Sequence, residues 1–215
     1  MLLAKNSKFV LIGDSITDCG RQMPIGEGLG GALGSGYVAL VDALLGSVYP
    51  HHSIRTVNMG ISGNTVRDLR RRWQMDVLDL KPNWVSIMIG ANDVWRQFDS
   101  PTRPETHVYI DEYEATLNDL LTDTKRTTAG IVLMTPFYIE PNHDEPMRAQ
   151  MDRYGDAVKR LALKHDVTLV DTQAAFDEVL DQYYPATLAP DRIHPTVTGH
   201  MVVARALLNA VGFLW

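Results

Sequence analysis

The sequence predicts an α/β fold, a doubly wound parallel sheet of five strands with helices on both faces, arranged as in flavodoxin. Two patterns predict it. Five short β-branched runs punctuate the chain: FVLIG from Phe9, IRTVN from Ile54, WVSIMIG from Trp84, IVLMT from Ile131 and VTLVD from Val167. They are near-continuous rather than alternating, as strands covered on both faces are. Helical patterns separate them, and that alternation implies right-handed βαβ crossovers. With 215 residues, 45% of them hydrophobic and 21% charged, the chain has the composition of one ordinary globular domain spanning 1–215.

Taken in order, the first run ends in GDSITD from Gly13, and the long connection CGRQMPIGEGLGGALGSG at 19–36 leads to the second. After NMGISGNT from Asn58, the apolar spacing of Val66, Leu69, Trp73, Val77 and Leu80 predicts an amphipathic helix with Asn64 as its N-cap. The third run ends in GANDVW, which opens a second long connection at 93–109. Tyr113, Leu117, Leu120 and Leu121 mark the next helix, and residues 147–165 and 196–211 two more. In such sheets ligands gather beyond the carboxyl ends of the strands, where the winding reverses, so the polar residues after each strand are the candidates for a site.

Charge and hydropathy exclude several classes. A formal net charge of −6 repels phosphate backbones, so no nucleic-acid partner is expected. The one basic cluster, Arg70-Arg71-Arg72, reads as the solvated face of a helix with acidic partners. No apolar run is long enough to span a membrane, and too few apolar residues precede Lys5 for a signal peptide, so the expected location is cytoplasmic. The single cysteine, Cys19, has no internal disulfide partner and agrees with a reducing compartment.

Three of the strand ends combine into chemistry. Ser15 in GDSITD, Gly60 in NMGISGNT and Asn92 in GANDVW converge on one edge of the predicted sheet. A serine, a backbone N–H and a side-chain amide are the parts of a nucleophile with an oxyanion hole. Such a serine requires a base and an acid to orient that base. Near the end of the chain, DRIHPTVTGH places Asp191 three residues before His194, close enough in a turn for the carboxylate to hold Nδ1–H and leave Nε2 for Ser15. Singly, a serine after a strand is usually a helix cap and a D-x-x-H usually a surface contact. Their joint occurrence at places the fold brings together favours catalysis.

These blocks, GDSITD, Gly60 in NMGISGN, Asn92 in GAND and His194 in DRIHP, resemble the four signatures of the SGNH, or GDSL-type, hydrolases, and the resemblance runs from Gly13 to His194. It implies a three-layer α/β/α sandwich and serine esterase chemistry with no cofactor and no metal. It makes Ser15 the nucleophile, His194 the base and Asp191 its orienting acid, with the Ser15 and Gly60 amides and the Asn92 side chain holding the oxyanion. Within the family, IGDSITDCGR, GISGNTVRDL, WVSIMIGANDVWRQ, MTPFYIE and VDTQAAFDEVL are similar to the intracellular acetylxylan esterases of xylan-degrading bacteria. That closer likeness implies an acetylated oligosaccharide substrate and a homo-oligomer, an octamer in that subfamily, to which VGFLW at the C-terminus could contribute. Pro190 departs from the aromatic residue expected beside the triad acid.

Other features are assigned elsewhere. GEGLGG at 26–31 matches a dinucleotide pattern but stands well past the first strand, with Glu27 where a phosphate would lie, and reads as a loop at the site entrance. His51, His52 and His200 read as surface or packing residues and Cys19 as a small packing residue. Trp95 and Tyr138, in loops after strands, are the candidates for stacking on a sugar, Trp95 being the one assigned to substrate binding. Two rival functions remain open. A lysophospholipase or thioesterase would keep the triad but require a long apolar acyl channel, and a carbohydrate-binding protein would carry the site as a vestige.

Overall fold

The computed structural model describes residues 1–215. Five strands form one parallel sheet: β1 (Lys8–Gly13), β2 (Arg55–Asn58), β3 (Trp84–Met88), β4 (Gly130–Met134) and β5 (Thr168–Val170). Their order is β2-β1-β3-β4-β5, the flavodoxin order the sequence predicts. Phe9 through Gly13 of the central β1 are buried throughout, as is β3 from Val85 to Met88, because helices cover both faces. The edge strands show the contrast, with Arg55 on β2 and Leu169 on β5 exposed.

Nine helices complete the layers: α1 (Ser15–Asp18), α2 (Tyr37–Val48), α3 (Val66–Trp73), α4 (Ala91–Asp99), α5 (Ile110–Lys125), α6 (Pro146–His165), α7 (Thr172–Leu180), α8 (Pro185–Leu188) and α9 (Val197–Ala210). Helices α2, α7 and α9 pack together as one layer, and α3, α5 and α6, with α4, as the other. The helix predicted from Tyr113, Leu117, Leu120 and Leu121 is present as α5, those predicted over 147–165 and 196–211 as α6 and α9, and α2 and α7 are additional. Their apolar positions are interrupted by polar residues, Asp42 in α2 and Asp177 and Glu178 in α7, which weakens the periodic signal.

Two local expectations are corrected. The helix after β2 is capped by Thr65, not Asn64: Thr65 and Asp68 form a reciprocal capping box, and the segment continues beyond Trp73 as a π-helical turn, Gln74–Leu78. Asn64 instead accepts a hydrogen bond from Arg72 at 2.8 Å. The connection at 93–109 is helical as far as Asp99, so Trp95 stands on α4 rather than in a loop. Gly90, at φ 130°, starts that helix with a backbone turn that a residue with a Cβ rarely adopts.

The sheet order decides where a site can lie. Chain connections leave β1 toward β2 on one side and return to β3 on the other, so the winding reverses between β1 and β3. Ser15 follows β1 and Asn92 follows β3, which sets them on either side of that crevice.

Candidate active site

Ser15 opens a helix of a single turn. Buried Asp14 precedes it as N-cap and accepts the Ile16 N–H at 3.0 Å, while Cys19 closes the turn in the left-handed region at φ 43°. A first-turn residue has no intrahelical acceptor for its N–H, which leaves the Ser15 amide available to a ligand. Burial pushes the Asp14 carboxyl up to about 6, against the pull of its hydrogen bond from Ile16 and of nearby His194.

The partner histidine comes from the other end of the chain. His194 Nε2 lies 2.8 Å from Ser15 Oγ, and His194 Nδ1 lies 2.6 Å from Asp191 Oδ2. Asp191 also accepts the backbone N–H groups of Ile193 (3.0 Å) and His194 (2.7 Å) through Oδ1, so the turn itself fixes the carboxylate. Burial works to raise the Asp191 carboxyl, but the His194 ring and these two amides outweigh it and hold the group below the usual carboxylate range. Arg192, between them at φ 63°, pairs with Glu140 at 2.6 Å and accepts the Ile139 N–H at 2.9 Å, which ties the turn to the loop after β4.

Asn92 is buried at the start of α4, where one amide N–H donates to the Asn64 carbonyl at 3.0 Å and the other remains for a ligand. Gly60 is fixed by close approach: a Cβ there would lie 2.2 Å from the Asp18 nitrogen. Its N–H, however, donates to Asn58 Oδ1 at 2.9 Å. To hold an oxyanion as well, that hydrogen would be shared in a three-centre bond. Trp95 lies against His194 with ring centroids 5.7 Å apart, and Arg96 covers the indole at 5.4 Å. Tyr138 is half-buried and packs against the core.

A cavity of about 360 Å³ opens beside the dyad, lined by Ser15, Ile16, Cys19, Ser35, Val197 and His200 among others. His200 therefore has more than a packing role: its Nδ1 accepts the Tyr37 N–H at 3.2 Å, and its Nε2 lies 3.3 Å from Cys19 Sγ. Burial lowers the His200 imidazole to about 4 and raises the Cys19 thiol to about 11, so both are neutral at neutral pH and the thiol is a poor nucleophile.

Three supporting residues escape sequence reasoning. Arg72, only 11% exposed, donates to the carbonyls of Gly13 (3.0 Å) and Met59 (2.7 Å) and pairs with Asp76, so it pins β1's end to the Gly60 turn. The solvated face expected of the Arg70–Arg72 cluster holds for Arg70 and Arg71, which pair with Asp119, Asp123 and Asp68, but not for Arg72. Arg21 donates to the Gly60 carbonyl at 2.6 Å and supports the same turn from the other side. Asp93 is fully buried and accepts the Val66 N–H at 3.0 Å, with its second oxygen unpartnered. Charge-bearing residues at helix positions read as surface, and only the sheet's closure over them shows otherwise.

Residues 11–202 match the model of the GDSL-like Lipase/Acylhydrolase family. The chain is 60% identical over 215 residues to an acetylxylan esterase of Geobacillus stearothermophilus, covering 100% of this chain and 98% of that one. A crystal structure of a catalytic mutant of that esterase, S15A, superposes with a TM-score of 0.99 at the same identity and coverage. Its H194A and D191A forms are likewise catalytic mutants, and the same residue types stand at those positions here. Another variant of that esterase replaces a tryptophan immediately before its aspartate, where this chain has Pro190. An α/β hydrolase from the metagenome of Lake Arreo, Spain, gives 55% identity and a TM-score of 0.97, covering 99% of this chain and 98% of that one.

Proposed function

The chain belongs to the GDSL-like lipase/acylhydrolase (SGNH) family, and on that premise we propose that it removes acetyl groups from acetylated xylo-oligosaccharides. It is a carboxylic ester hydrolase. The observation that carries the reading is the continuous line from Asp191 Oδ2 to His194 Nδ1 at 2.6 Å and from His194 Nε2 to Ser15 Oγ at 2.8 Å.

Ser15 gives its proton to His194 Nε2 as Oγ attacks the ester carbonyl, and Asp191 stabilises the imidazolium that forms. The tetrahedral oxyanion is held by the Ser15 N–H and the free N–H of Asn92, with Gly60 sharing its hydrogen. His194 then protonates the departing sugar oxygen. Water, deprotonated by the same imidazole, attacks the acetyl-enzyme and releases acetate.

Acetyl preference is supported by the 60% identity over the whole chain to an acetylxylan esterase. A sugar is supported by Trp95, whose ring stands beside His194. Leu214 and Trp215, 75% and 62% exposed, support assembly with further copies of the chain, up to an octamer, which light scattering would reject by a monomer mass. A cytoplasmic site of action is supported by the single, unpaired Cys19, and cell fractionation tests it.

The test is hydrolysis of 4-nitrophenyl acetate, butyrate and octanoate, with Ser15→Ala as control, followed by acetylated xylo-oligosaccharides. Acetate preference that vanishes in the variant supports the reading. Preference for octanoate favours the lipid ester or thioester rival, and turnover independent of Ser15 removes the triad.

A further inference from the structure

A second depression of about 420 Å³ adjoins the site and is lined without a single apolar side chain. Arg67, Arg71, Arg96 and Arg103 line it together with Asp68 and Glu105, while Glu112 and Asp99 pair with Arg67 and Arg96 from outside the lining. We propose that this depression is a subsite for a carboxylate-bearing sugar, so that the substrate is an acetylated oligosaccharide with a uronic acid substituent. The assignment rests on the esterase reading above and names the substrate class more narrowly.

Position links the depression to catalysis. Gly63 and Thr65 flank Asn64, whose carbonyl holds the Asn92 amide, and Arg96 donates to Asn92 Oδ1 at 3.3 Å while covering Trp95. Gly63 and Thr65 follow β2, and Arg96 and Arg103 follow β3, so the lining belongs to the same edge of the sheet as Ser15.

Not every guanidinium there is free. Arg67 is closed by a two-nitrogen pairing with Glu112, and Arg96 pairs with Asp99. Arg71 meets Asp68 through one nitrogen at 3.0 Å, and Arg103 meets Glu105 through Nε at 3.5 Å. These two are 75% and 68% exposed and make one hydrogen bond each, so most of their five N–H donors lack an acceptor. Planar guanidinium groups with free donors match a carboxylate in two-point geometry.

The experiment compares kcat/KM for acetylated xylo-oligosaccharides with and without a uronic acid branch, on the wild type and on Arg71→Gln/Arg103→Gln. Two partly exposed pairs predict a preference for the acidic substrate of about fivefold, reduced at high salt and collapsing toward one in the double variant. A wild-type ratio at or below one, or a ratio the variant leaves unchanged, overturns the subsite. If neither oligosaccharide is cleaved while 4-nitrophenyl acetate is, the substrate reading fails separately. The subsite is then judged by inhibition of nitrophenyl acetate hydrolysis: stronger inhibition by glucuronate than by glucose, lost in the double variant, supports it. Equal inhibition by the two sugars, or by inorganic phosphate and glucuronate alike, overturns the uronate assignment.

Discussion

Ser15 Oγ and His194 Nε2 stand 2.8 Å apart across 179 residues of sequence. Because Asp191 holds the opposite ring nitrogen and the Ile193 and His194 amides of its own turn, the imidazole presents its lone pair to the serine. Asp191→Asn keeps the shape of the turn but favours the wrong tautomer, so kcat for 4-nitrophenyl acetate should fall about 10⁴-fold with the protein still folded. A loss below tenfold in steady-state kinetics, with an unchanged circular dichroism spectrum, would remove Asp191 from the mechanism.

Asn92→Ala removes the side-chain amide aimed at the developing oxyanion. An expected loss of about 10²–10³ in kcat, with KM little changed, distinguishes a donor used in the transition state from one that binds substrate. A rise in KM alone would make Asn92 a ground-state contact. The comparison also bears on Gly60, since the more of the oxyanion Asn92 carries, the less the shared Gly60 hydrogen must contribute.

Arg72 buries its guanidinium among the Gly13 and Met59 carbonyls, Asn64 and Asp76. Arg72→Met would leave these acceptors and one carboxylate without their partner, at a cost of about 3 kcal/mol or more. In a domain of this size that lowers Tm by roughly 6–12 °C. Thermal unfolding with a shift of a degree or two would mean that water replaces the guanidinium.

Asp93 gives the fold a pH dependence of its own. Burial pushes its carboxyl from 3.8 to about 8, with Asp14 and Asp68 adding to the rise and the Val66 amide opposing it. The folded protein thus keeps a proton that the unfolded chain releases above 3.8, so stability falls as pH rises from there to about 8. Asp14 contributes a similar fall that ends near 6. His200, lowered by burial from 6.5 to about 4, and His165, also lowered, oppose this fall up to about their unfolded value, so between about pH 7 and 8 the slope belongs chiefly to Asp93, and Asp93→Asn, which still accepts from Val66, should flatten it. Tm measured across that window would decide the matter, and an unchanged slope would show that Asp93 is not the titrating group.

Strand positions were legible because a parallel sheet buries both faces, which forces β-branched runs such as FVLIG and WVSIM to be continuous. The site's reacting groups were legible too, since Ser15, Asn92, Asp191 and His194 lie in short blocks whose residue types suit one chemistry. Caps were less so: Asn64 and Thr65 are both good N-cap residues, and the choice fell to Thr65 because Asp68, three residues on, completes a reciprocal pair.

By itself, then, the sequence determined the α/β alternation and the strand ends, and it named the residues proposed as nucleophile, base and acid, because burial and residue type leave local patterns and short motif blocks. Only the tertiary structure decided that Arg72 and Arg21 lie beneath the Gly60 turn, that the Gly60 amide is already bonded to Asn58, and that Arg71, Arg96 and Arg103 gather at one depression. The reason is physical: a long charged side chain reads the same in sequence whether it reaches solvent or folds back onto a carbonyl, and its partners are chosen by chain closure across distant elements.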